Sequence, residues 1–256
     1  RSPLLSGQTW LTHGVTRRVP GLGLADGNVG YTAPRDEADA WDMRQRWARA
    51  IGVGPETLVR VRQLHGNQVH IAERADLDRG AAPDAGQAPI ADAIVTQVAG
   101  LALSTLHADC LAMLIADPAT RTVGAVHAGW RSTVADIAGE TVRTLSDAFG
   151  SDPSDILVWI GPSIGRDQYQ VGNEVAAAWN ELEVDDPETL APDGDRWRFD
   201  LKLANAALLR RAGVSAANIE ISSVCTATET DRWFSHRAQG PLTGRFAAVI
   251  SINGDM

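Results

Sequence analysis

Cysteine is scarce in this chain of 256 residues. Cys110 and Cys225 are too few for a disulfide framework, so the fold does not rest on cross-links and each thiol needs its own explanation. Long apolar runs are missing as well. None reaches the roughly 20 residues of a membrane span, and the opening RSPLLSGQTW lacks the apolar core of a secretory signal. No membrane partner is expected, and a cytoplasmic location is. Positive charge is in deficit: 23 Lys and Arg face 32 Asp and Glu, a formal net charge of −9. That is the wrong sign for a general binder of phosphate backbones, so nucleic acid is not an expected partner. There is no internal repeat and no low-complexity tract.

What is present is the composition of a globular protein, 44% hydrophobic, at a length one domain over residues 1–256 can accommodate around one large core. Short apolar or β-branched runs bounded by turn formers predict strands at Leu58–Leu64, Ala93–Thr96, Leu101–Leu106, Leu111–Asp117, Thr122–Ala128, Ile156–Gly161, Ile219–Val224 and Phe246–Ile252. Apolar residues spaced three and four apart predict helices over Ser132–Phe149, stopped by Gly150, and over Asp200–Ala212, capped by Gly213. Shorter helices are expected at Ala38–Ile51 and Asn173–Leu182. Asp76–Ala91 and Glu181–Arg198, rich in Asp, Gly and Pro, read as surface loops. The fold class that follows is α/β of the α+β kind, with helices packed on a mixed, largely antiparallel sheet.

Three metal-capable side chains fall at predicted strand ends beside small or turn-forming residues: His65 in VRQLHGNQVH, Cys110 in STLHADCLAM and His127 in VGAVHAGWRS. A His, Cys, His set suits zinc with a fourth position open to water or substrate. Taken singly, each residue has an ordinary alternative, a small core cysteine or a hydrogen-bonding histidine. Their spacing matches no short zinc signature. His107, three residues before Cys110, points to the opposite strand face unless the chain turns at Ala108. His70 reads as an edge or surface residue. Asp109 can orient a ligand histidine, serve as a general base or be a plain turn aspartate. Trp130 stacks on a base or fills the core, and Cys225 packs.

The strings ADC at 108–110, HAGWR at 127–131, IGPSIG at 160–165 with YQVGNEV at 169–175, and FSHR followed by TGR at 243–245 resemble the laccase-domain (YfiH-type) family. The likeness runs from a THGVTR string at His13 to the C-terminus. It implies a metal site at His65, Cys110 and His127, and a zinc-dependent purine nucleoside phosphorylase acting on adenosine, inosine and methylthioadenosine with phosphate, with adenosine deamination as a side activity. It also implies catalytic roles for Cys110, His127, Arg131 and Asp109, substrate contacts at Asn28, Arg44 and Arg245, and a place for His13 in the site lining. Arg131, just ahead of a helix, suits phosphate or carboxylate. The alternatives are a hydrolase editing peptidoglycan precursors, a polyphenol oxidase with copper, and a metal-binding partner protein. Six histidines with no His-x-His pair speak against a multi-copper centre. The chain departs from the family pattern with ADCLAM for ADCLPV, HAGWRS for HAGWRG, and His236 where a tyrosine often precedes the arginine.

Overall fold

The computed structural model describes residues 1–32, 36–77 and 79–254. Two sheets dominate. Strands Leu11–Val15, Phe246–Ile252, Ala102–His107 and Leu58–Arg60 lie side by side in one. Strands Ile219–Ile221, Leu157–Ile160, Leu111–Asp117, Thr122–Ala128, Ala93–Thr96 and Val69–Ile71 form the other. Pairing is antiparallel through the middle of both sheets and parallel only where Leu58–Arg60, Val69–Ile71 and Ile219–Ile221 join at edges. The mixed, largely antiparallel expectation is met.

The strand Leu111–Asp117 explains the layering. Its odd-numbered side chains Leu111, Met113 and Ile115 enter one buried cluster, whereas Ala112, Leu114 and Ala116 enter another. Successive strand residues face opposite ways, so a strand apolar at every position must be covered on both sides. One side is covered by the helices Ile137–Phe149 and Leu201–Arg211, through Val142, Leu145, Leu208 and Leu209. The other is covered by the four-stranded sheet, through Leu103, Phe246 and Ile250. Helix Glu37–Ile51 packs Met43, Ala48 and Ile51 on that sheet's outer face. The result is four layers, helix, sheet, sheet, helices, and three apolar clusters in place of the one core expected. Each large side chain so buried contributes about 1.5–3 kcal/mol.

Several boundaries differ from the sequence reading. The helix expected over Ser132–Phe149 is two, Trp130–Val134 and Ile137–Phe149. Asp136 breaks it with a left-handed φ of 60° while its carboxylate accepts from the Gly139 N–H at 3.1 Å. Aspartate tolerates that conformation and caps well, and the apolar spacing runs through the break unchanged. The loop expected over Glu181–Arg198 contains a hairpin, Leu190–Asp193 with Arg196–Phe199, extended by Gln170–Val171. Leu58–Leu64 is a strand only to Arg60, after which Arg62 makes an isolated bridge to Ile90. The loop reading of Asp76–Ala91 holds for its described residues apart from Asp76, which closes the 3-10 turn Arg74–Asp76, and Ile90, which bridges to Arg62; Asp78 lies outside them. Among the described residues no helix is long and apolar enough to cross a membrane.

Candidate metal centre

The turn His65–Gly66, the turn at Asp109–Cys110 and the end of strand Thr122–Ala128 converge at one end of the sheets. They bring His65, Cys110 and His127 together with ligand atoms all within 4.8 Å of one another. Cys110 Sγ lies 3.8 Å from His65 Nε2, and the rings of His65 and His127 meet edge to face at 4.9 Å. Zinc bonds of about 2.0–2.3 Å from a tetrahedral centre place neighbouring ligands at such separations, so the trio fits that ion. His107 is not in the group. It is buried, with Nε2 bonded to Thr105 Oγ1 at 2.9 Å and Nδ1 near the Cys110 carbonyl at 3.3 Å. Burial keeps it well below the usual histidine range, and its place is between Phe246 and His127.

One buried carboxylate organises the trio, and sequence reading missed it. Asp92 Oδ1 meets His127 Nδ1 at 2.9 Å, which turns His127 Nε2 toward the cysteine. The same carboxylate accepts backbone N–H bonds from Leu64, His65 and Gly66 at 3.2, 3.0 and 2.7 Å, holding His65 at its left-handed φ of 63°. A carboxylate behind a ligand imidazole fixes its tautomer and orientation. Burial pushes Asp92 up, but the His127 bond and these N–H groups outweigh it and keep the carboxylate ionised. The only sequence signal is a lone acid heading the apolar strand AIVT.

The thiol is tuned by the same neighbours. Burial raises Cys110, yet the charge and hydrogen bond of His127, with His65 beside it, bring it down to about 6. Burial lowers His127, and Cys110 with Asp92 more than reverse this. A thiolate is the form a metal takes. Gly129 explains part of HAGWR: a Cβ there would stand 2.9 Å from His65 Cδ2 and 3.0 Å from Cys110 Sγ.

The trio opens onto a cavity of about 730 Å³, within the range of small-molecule sites. Among the described residues its walls carry five arginines, Arg60, Arg62, Arg131, Arg237 and Arg245, against one acid, Asp109. For a chain of net charge −9 this is a concentrated reversal of sign. Trp130, Tyr169 and His236 also line it. Trp130 packs against the core as well, and the Arg131 guanidinium lies 4.3 Å from its ring centre. Arg237 sits over Tyr169 and donates to the Gln168 and Gln170 carbonyls at 3.1 Å each.

Other expected residues stand elsewhere. The Asp109 carboxylate is occupied by the Thr226 hydroxyl and the Arg237 N–H, both at 2.6 Å, so it ties the end segment to the cysteine turn, and the carboxylate orienting a ligand histidine is Asp92. Asn28 spends its amide on Gly30 and the Arg245 N–H. Arg44 is buried over the Tyr31 ring, donating to the Val29, Gly80 and Ala81 carbonyls. Neither borders the main cavity, whereas Arg245 does. His13 lies outside it too, accepting from the Ser2 N–H at 2.9 Å, and His70 pairs with Asp76. Cys225 accepts from the Gly165 N–H at 3.2 Å. Met113, the one thioether near the trio in sequence, is fully buried in the cluster under the helices and does not border the cavity.

A family model described as multi-copper polyphenol oxidoreductase laccase matches residues 12–253. The purine nucleoside phosphorylase YlmD of Geobacillus stearothermophilus is 34% identical over 242 residues, 93% of this chain and 86% of that protein. An adenosine deaminase, RL5, from an unknown prokaryotic organism is 32% identical over 236 residues, 87% of this chain and 88% of that protein. The crystal structure of YlmD from G. stearothermophilus superposes with a TM-score of 0.93 at 31% identity, covering 99% of this chain and 94% of that one.

Proposed function

We propose that this chain, which belongs to the family described as multi-copper polyphenol oxidoreductase laccase, is a zinc-dependent purine nucleoside phosphorylase. Its substrates on this reading are adenosine, inosine and methylthioadenosine, with adenosine deamination as a side activity. Relatives named purine nucleoside phosphorylase support an enzyme of that kind, and a relative named adenosine deaminase supports the second reaction. The observation that carries the reading is the juxtaposition of a nitrogen, sulfur, nitrogen trio with an arginine-lined cavity of nucleoside size.

His65, Cys110 and His127 would hold the metal, and zinc in that place would supply Lewis-acid polarisation of a substrate atom and a lowered pKa for water. The chain's own residues do the rest. Asp92 keeps His127 and the His65 turn in place before substrate arrives, so the geometry costs nothing at the moment of reaction. Trp130, with Arg131 against it, offers a flat cationic wall to a purine. In phosphorolysis a phosphate oxygen bonds to the ribose anomeric carbon as the bond from that carbon to the purine nitrogen breaks. The electron pair leaves with the base, which takes up the proton that the hydrogen phosphate loses on becoming the sugar ester. Cavity arginines stabilise the phosphate and the developing negative charge. Asp109, Asn28 and Arg44 are positioning residues on this reading, and Arg245 faces the substrate.

The test is metal analysis of the purified protein together with product release from inosine, with and without phosphate. One zinc per chain, with hypoxanthine released only when phosphate is present, is the expected result. Release without phosphate turns the reading toward hydrolysis, and inertness of the zinc-loaded protein toward all three nucleosides overturns it.

A further inference from the structure

We infer that Arg60 and Arg62 form the subsite for a phosphate dianion in this cavity, an assignment that rests on the phosphorylase reading of the same site. The two alternate along an extended segment, so both side chains leave it on one face, and both border the cavity. Arg60 donates from Nη1 to the Gly80 carbonyl at 3.2 Å, but its Nε is buried with no partner. Arg44, behind it, has a buried Nη2 in the same condition. Both border a second cavity of about 20 Å³, room for one water and far too small for phosphate, so an anion must reach Arg60 from the main cavity. Arg62 is exposed and makes no side-chain hydrogen bond or ion pair among the described residues.

Buried charges are normally paired, because an uncompensated one forfeits its hydration. A chain with 32 acidic residues places no carboxylate against Arg44 or Arg60 among the described residues. Burial brings Arg60 down to about 10, and burial with Arg60 alongside brings Arg44 down to about 8, as two cations crowded together require. An incoming dianion relieves that crowding, and guanidinium forks match its oxygens. The other cavity arginines are committed differently. Arg237 is held by two carbonyls, Arg245 donates to the Thr243 and Gly244 carbonyls, and Arg131 lies on Trp130 beside the metal ligands. Arg62 precedes His65 by three residues, a chain distance of at most about 10 Å. An anion on Arg62 is therefore within a nucleoside's length of the trio.

Phosphate in such a site can be free or the ester of a nucleotide. Calorimetry on the zinc-loaded protein separates them, with inorganic phosphate in one arm and a nucleoside 5′-monophosphate in the other. Inorganic phosphate is expected to bind, with affinity lowered at least tenfold by Arg62→Gln and less by Arg62→Lys, while zinc content and inosine binding stay as in the parent. Binding of the monophosphate alone, with the same dependence on Arg62, upholds the subsite and overturns the phosphorylase reading instead. Unchanged affinity for both ligands in Arg62→Gln and Arg60→Gln, or no binding of either by the parent, overturns the subsite. Should Arg60→Gln fail to fold, Arg62→Gln decides alone, because its side chain holds nothing in place.

Discussion

The two walls of the cavity are built on opposite plans. On the metal wall, polar atoms are held from behind: Asp92 grips His127 and three backbone N–H groups at once, and Gly129 leaves the space that His65 and Cys110 occupy. On the arginine wall, Arg60 and Arg62 stand without a carboxylate among the described residues, and the Arg60 Nε is buried with no partner. The first wall is preorganised and needs little from a ligand except to fill a coordination position. The second is electrostatically incomplete until an anion arrives. With a metal on the trio, an electrophilic end and an end short of counter-charge would share one cavity, which suits the transfer of a group between two substrates.

The contrast can be broken from either side. Cys110→Ala removes the only charged ligand of the trio, and loss of zinc and of measurable turnover is expected by metal analysis and activity assay; retention of both would disprove the site. Asp92→Asn comes next. An amide cannot accept from His127 and all three N–H groups, and zinc affinity measured by chelator competition should fall about 10–100-fold. Arg44→Met sharpens the difference between a cation that builds the wall and one that contacts ligand. It takes a donor from the Val29, Gly80 and Ala81 carbonyls, of which Gly80 keeps Arg60 and Ala81 keeps the Tyr31 hydroxyl, and the stranded Val29 carbonyl should cost roughly 1–3 kcal/mol in denaturant unfolding. The KM for inosine should stay close to that of the parent.

The smallest effect lies outside both walls. Burial, with the charge of the nearby Arg1 side chain, holds His13 down to about 4 from 6.5. As pH falls below 6.5 the unfolded chain takes up a proton that the folded one refuses, so stability is lost progressively until about pH 4 and no further below it. His13→Gln should flatten that part of a melting-temperature profile, and an unchanged slope would remove His13 from the account.

Local pattern was enough for the central strands. Ala93–Thr96, Leu111–Asp117, Thr122–Ala128 and Phe246–Ile252 are bounded as expected because alternating or continuous apolar residues and flanking turn formers agree there. It failed at Asp136, where one capping carboxylate overrides an unbroken helical spacing, and at the Leu190–Phe199 hairpin, whose Asp and Pro content reads as loop. Edge strands Leu11–Val15 and Val69–Ile71 were missed because they are short and only half covered.

For the site, the sequence by itself determined which residue types were available: two histidines and a cysteine beside turns, in strings that resemble one family. Only the tertiary structure decided that they meet, that Asp92 rather than Asp109 orients them, and that Arg60 and Arg62 share their cavity while Asn28 and Arg44 do not. The reason is physical. Ligand chemistry is a property of single side chains, whereas convergence, burial and the lack of a counter-charge are properties of segments far apart in sequence, brought together by the stacking of two sheets.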